Sequence, residues 1–193
     1  MVKEKRRSVA REICYTAMFT AIIAVCAWIS VPLPGGIPVT LQTMGVCLAA
    51  GFLGWKRGLL AVTVYILLGL CGVPVFAGFT AGAAKLGSPT GGYIVGFLFT
   101  AIAVGVVSDY VRPKNDWARA GILAVSMAVG IALCYAFGTV WFMYVYNAGA
   151  ESTVTLAGAL SMCVLPYLLP DLVKIVCAAV LVAKFKRFMK IRG

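Results

Sequence analysis

Histidine is missing from all 193 residues, and only six residues are acidic. The first absence removes the commonest general base and metal ligand, which excludes Ser/His dyads and HExxH zinc sites. The second leaves no carboxylate pair, because Glu4, Glu12, Asp109, Asp116, Glu151 and Asp171 never come together within one apolar run. A GxxxxGK[ST] phosphate loop is lacking too, so ATP-driven work would need a partner. Cysteine is present but unorganised: Cys14, Cys26, Cys47, Cys71, Cys134, Cys163 and Cys177 occur singly. An odd count without CxxC or metal spacing argues against a disulfide framework or a zinc site, and we read these as small buried packing residues. The chain is therefore expected to be no enzyme and to hold neither a metal nor a resident cofactor.

Charge is scarce as well, at 12% of residues against roughly a quarter in an ordinary soluble domain. Apolar residues make up 62%, so lipid rather than water is the expected solvent. Crossing the hydrocarbon by helix takes about 20 apolar residues, and six crossings with brief connections nearly exhaust the chain. The expectation is an all-α integral membrane bundle of six transmembrane helices, forming a single domain over residues 1–193. The net charge of +11 would point to nucleic acid in a soluble protein, but the basic residues lie between apolar runs and speak against that partner. The basic start is not read as part of a signal peptide, because the apolar run after it is long for an h-region and ends in no small-residue cleavage site.

The first run extends from about Ile13 to Ile29 and stops at a stiff segment, residues 31–38, holding Pro32, Pro34, Pro38, Gly35 and Gly36. Two short helices follow between Leu41 and Leu70, divided at Gly54-Trp55-Lys56-Arg57-Gly58. The apolar, glycine-rich stretch 72–87 is irregular backbone, of the kind that survives near lipid only when protein buries it or it lines a cavity. Ser88-Pro89 reads as the start of the fourth helix, with serine as N-cap. That helix runs to about Tyr110, the fifth from about Ala118 to Tyr146, and the sixth from about Leu156 to Val182. Every second connection is basic: Lys3 to Arg11, Lys56-Arg57, Arg112 to Arg119, and Lys184 to Arg192. The opposite connections hold only Lys85, with Glu151, so the positive-inside rule places both termini in the cytoplasm.

Pro170-Asp171-Leu172-Val173-Lys174 carries the sharpest chemical signal. Its carboxylate and ammonium share one helix face, and each charge costs about 2.5–3.5 kcal/mol at the bilayer centre. They are expected to border a wet cavity or to form a packing pair. Pro166 and Pro170 should break the helix so that it restarts near Asp171 with free N–H groups, a positive end that suits an anionic ligand. Gln42 and Thr43 open the second helix as cap or ligand contact. Ser88, Thr90 and Tyr93 do the same for the fourth, where Gly92 and Gly96 form a small-xxx-small pair. Ala17 with Ala21, and Gly54 with Gly58, form two further such pairs. Tyr135, Trp141, Phe142, Tyr144 and Tyr146 on the fifth helix read as an interfacial belt or as stacking partners for a ligand ring.

Four segments in this order, Pro38-Val39-Thr40-Leu41-Gln42-Thr43, Gly72-Val73-Pro74-Val75-Phe76-Ala77-Gly78, Ser88-Pro89-Thr90-Gly91-Gly92-Tyr93 and Asp171-Leu172-Val173-Lys174, make the chain resemble the BioY family. These are the biotin-binding S-components of energy-coupling factor (ECF) transporters. The resemblance implies a bacterial plasma-membrane protein that captures biotin from outside as a transported ligand and docks on a transmembrane coupling subunit carrying two ATPase subunits. It gives Asp171 the ureido N–H groups, with Lys174 neutralising the carboxylate or orienting Asp171. Gln42, Thr43, Ser88, Tyr93 and Tyr167 would complete the pocket, and the loop from Pro32 to Pro38 would act as a lid. Ala17 and Ala21 match the AxxxA patch that faces the coupling subunit in the wider class. The alternatives are an S-component for another vitamin and a scaffold subunit without ligand.

Overall fold

The computed structural model of the chain describes residues 2–31, 38–111, 113, 115–149 and 153–188. It is a helical bundle: α1 (Val2–Trp28), α2 (Gln42–Leu53), α3 (Trp55–Leu70), the short α4 (Ala83–Gly87), α5 (Gly91–Tyr110), α6 (Asp116–Gly149), α7 (Leu156–Cys163) and α8 (Leu165–Phe185). Two-residue strands, β1 (Ser30–Val31) and β2 (Val39–Thr40), pair antiparallel between α1 and α2. The proposed lid lies outside the described residues except for Pro38. Among the described residues, four helices are long and apolar enough to cross a membrane, over Val9–Trp28, Gly91–Tyr110, Asp116–Ala148 and Leu165–Phe185.

Helix α2 has 12 residues, or about 18 Å of rise against a hydrocarbon core about 30 Å thick. Its lack of length is offset by enclosure, for α1, α3, α5 and α8 all pack on it, and Val46, Cys47, Ala49 and Ala50 are fully buried. The break between α2 and α3 is narrower than the sequence implied. Gly54 alone leaves the helix, at φ +80° and ψ −178°, a region essentially reserved for glycine. The Asp109 carboxylate occupies the space a Cβ would need there, and it accepts a hydrogen bond from the Trp55 N–H at 2.9 Å. Gly92 and Gly96 act as anticipated, letting α5 approach Trp141 and Cys134 of α6 at backbone distance.

Three expectations are corrected. The fourth long helix starts at Gly91, and Ser88 is the C-terminal cap residue of α4 instead of an N-cap. The last span breaks at Val164 (φ −121°, ψ −54°) and restarts at Leu165. Pro166 occupies the first turn, where no N–H is needed, and Pro170 continues within the helix, so Asp171 sits in an interior turn and not at a free N-terminus. Finally, only Cys26, Cys47, Cys134 and Cys163 are buried; Cys14, Cys71 and Cys177 lie on exposed helix or turn positions.

The segment between α3 and α4 folds back over one end of the bundle and satisfies its own backbone. Phe76 and Thr80 form an isolated bridge, and the Gly82 N–H donates to the Gly69 carbonyl at 2.7 Å. The Trp28 indole N–H donates to Pro74 O at 2.9 Å, and its ring stacks on Phe79. The other end carries ionic contacts, with Arg57 on Glu12 at 2.7 Å and Lys186 on Asp109 at 3.9 Å, and Lys186 also donates to the Ser108 hydroxyl at 2.7 Å. We expect Gly54→Ala to lower stability in detergent by about 1–3 kcal/mol through backbone strain, read as a lower thermal midpoint. An unchanged midpoint would contradict the assigned backbone conformation.

Candidate functional site

On α8 the buried face carries Asp171, Lys174, Ile175, Ala178 and Val182, while Leu169, Leu172, Val173 and Val176 point outward. Asp171 and Lys174 are 4% and 7% exposed, and the ammonium donates to Asp171 Oδ1 at 2.6 Å. Thr43 of α2 donates to the same oxygen at 3.1 Å, and the Tyr135 hydroxyl of α6 donates to Oδ2. An ionised carboxylate offers about four acceptor positions; these three donors leave one on Oδ2. Three helices therefore converge on one carboxylate, which borders a cavity of about 720 Å³ including its open mouth.

A second polar group on the wall has a fixed orientation. The Tyr65 hydroxyl donates its single hydrogen to Val75 O at 3.1 Å, so its contact with Gln42 at 2.7 Å must use the Gln42 Nε2 as donor. Gln42 Oε1 is left as an acceptor on a residue that lines the cavity. Tyr93 and Tyr135 meet edge to face at 6.4 Å, and the Tyr93 hydroxyl shares a hydrogen bond with Thr139 at 3.2 Å. Ile94 and Phe97 supply apolar wall. The cavity thus has flat aromatic and aliphatic sides and two acceptors, one charged and one neutral. It suits a compact ligand that presents N–H donors.

A profile of the BioY family matches residues 2–191. The chain belongs to the BioY family. It is 39% identical to a biotin transporter BioY of Thermotoga maritima, over 92% of this chain and 96% of that one. It is 33% identical to a probable biotin transporter BioY of Pyrococcus horikoshii, over 92% and 97%. The fold matches a crystal structure of the S-component for biotin from an ECF-type ABC transporter, with a TM-score of 0.80 and 26% identity over 97% of this chain and 94% of that one.

In this BioY family member the cavity brings together Asp171, Lys174, Gln42, Thr43, Tyr93 and Tyr167, all flagged from sequence. Ser88 stands behind the wall: its hydroxyl bonds Lys85 O at 2.6 Å and Thr90 Oγ1 at 3.0 Å, and its carbonyl accepts from the Trp141 indole at 3.2 Å. Thr90 from the same motif lines the cavity instead. Ala17 and Ala21 are exposed on α1, far along the chain from the cavity-lining segments. Tyr135 was read from sequence as part of an interfacial belt or as a stacking partner for a ligand ring, and its hydroxyl contact with Asp171 was missed. Its signal was a hydroxyl in the middle of α6, whereas Tyr144, near the end of that helix, is 74% exposed and fits the belt. Lys85, Cys163 and Thr40 also line the cavity, Lys85 having been noticed only as a charge count.

Because the ion pair is buried, its members depend on each other. Lys174→Met should cost about 3–5 kcal/mol by stranding the carboxylate, and Asp171→Leu/Lys174→Met should recover most of it. Thermal unfolding of the purified variants checks this; a double variant no more stable than the single one would show that the pair is not coupled.

Proposed function

We propose that this BioY family member is the biotin-capturing S-component of an ECF-type importer, taking biotin from outside the cell and passing it inward through an ATP-driven partner module. The observation that carries the reading is the Asp171 carboxylate, held by Lys174, Thr43 and Tyr135 with an acceptor position to spare at the edge of a largely apolar cavity. Biotin's ureido ring offers two N–H donors. One goes to Asp171 Oδ2 and the other to Gln42 Oε1, while the sulfur ring lies among Tyr93, Ile94, Phe97 and Tyr167. Lys174 is engaged with Asp171 at 2.6 Å, so its role in this scheme is to hold that carboxylate aimed. Thr43 works with it, and Ser88 braces Lys85 and Thr90 from behind. The names carried by the relatives in Thermotoga maritima and Pyrococcus horikoshii support biotin as the ligand.

The topology in this reading is a single domain over residues 1–193 with six spans and both termini in the cytoplasm of a bacterial cell. Short α2 and α3 count as spans in this reading, packed among the longer helices α1 and α5. The cavity then opens outward, away from the basic connections. Ala17 and Ala21, exposed on α1, offer a small-residue face on which a transmembrane coupling subunit can pack closely, and that subunit would bring the two ATPase subunits the chain lacks.

Biotin at about 100 times its Kd should stabilise the purified protein by about 2.7 kcal/mol, seen as a rise in thermal midpoint. Thiamine and riboflavin should produce none. Tyr65→Phe, which frees the Gln42 amide to flip, should weaken biotin binding severalfold by titration calorimetry, and Asp171→Asn by tenfold or more. No shift with biotin, or unchanged affinity in Asp171→Asn, would sink the reading.

A further inference from the structure

Seventeen residues are Lys or Arg; among the described ones, two lysines stand away from the basic end of the bundle. One is Lys174, which is neutralised by Asp171. The other is Lys85, on α4 between the irregular strap and α5, at the end of the bundle where the other connections carry no base. Lys85 lines the same cavity as Asp171. Its backbone is tied down, with its N–H on Gly82 O at 3.2 Å and its carbonyl accepting from the Ser88 N–H and hydroxyl. Its ammonium has no hydrogen-bond or ion-pair partner among the described residues.

A lysine half-buried against a mostly apolar wall, with its backbone held and its charge unanswered, is a place for an anion. The floor of the cavity is already electrically balanced, since Asp171 and Lys174 cancel. A monoanionic ligand must therefore find its counter-charge elsewhere on the wall, and Lys85 is the one cation there not already paired. We propose that Lys85 binds the ligand's terminal carboxylate, so that a ligand enters with its N–H-bearing ring toward Asp171 and its acid group held at the α4 side of the mouth. This rests on the biotin reading and deepens it: Lys85 selects the free acid over neutral derivatives and fixes which end of the molecule goes in first.

The test compares biotin with its uncharged primary amide on the purified full-length chain by titration calorimetry. Wild type should bind biotin at least tenfold more tightly than the amide. Lys85→Ala should lose about tenfold or more for biotin while holding the amide within about twofold, which also shows that the variant is folded. Lys85→Arg should restore most of the preference. Equal losses for both ligands, or an unchanged biotin affinity in Lys85→Ala, would overturn the assignment while leaving biotin capture standing. If wild type binds neither ligand, the functional reading and this assignment fall together.

Discussion

A carboxylate and an ammonium cannot be left in the apolar interior of a bundle without compensation on every side. Asp171 and Lys174 are both nearly inaccessible, 2.6 Å apart, and the cost of burying them is offset only because Thr43 and Tyr135 add two more donors from α2 and α6. Removing either charge would strand the other. The pair therefore pins three helices to one point, and the point is the wall of a cavity. Such an arrangement is a poor way to gain stability, since well-packed apolar residues would do as well. It is a good way to hold one carboxylate in a defined orientation for something that arrives later.

The remaining architecture follows from enclosing that point. Helix α2 carries Gln42 and Thr43 at its first turn, and both line the cavity. The strap between α3 and α4 covers the same end, and it tolerates apolar surroundings because its backbone groups are satisfied by Gly69, Thr80, Tyr65 and Trp28. Tyr65 joins these two parts through one hydroxyl, setting the Gln42 amide with one bond and holding Val75 with the other. The opposite end is built differently, from partly exposed ion pairs such as Arg57 with Glu12, each of small energetic weight.

Much of this was legible in the amino-acid sequence because membrane chains signal strongly. Charge within an apolar run is costly, so Asp171 and Lys174 declared themselves, and the small-xxx-small spacing of Gly92 and Gly96 anticipated the contact of α5 with α6. Where the reading went astray, a local rule had two outcomes. Proline at 166 was taken to break a helix, but proline equally begins one, and the break falls at Val164. Ser88 fits an N-cap pattern yet closes α4, a five-residue helix that periodicity is too coarse to detect. Tyr135 was hidden by its aromatic neighbours, since nothing in spacing along one helix tells which hydroxyl meets a carboxylate carried by another. Cysteines 14, 71 and 177 are exposed because a bundle in lipid has an apolar exterior as well as an apolar core, and hydropathy alone does not separate the two.

The most direct test of the central claim is an experimental structure of the chain with biotin bound. The account predicts the ureido ring against Asp171 and Gln42, with the Lys174 ammonium still on Asp171 and the acid tail directed toward α4. Biotin bound elsewhere, or a ligand-filled cavity in which the Asp171 and Lys174 pair faces away in a dry helix seam, would contradict it.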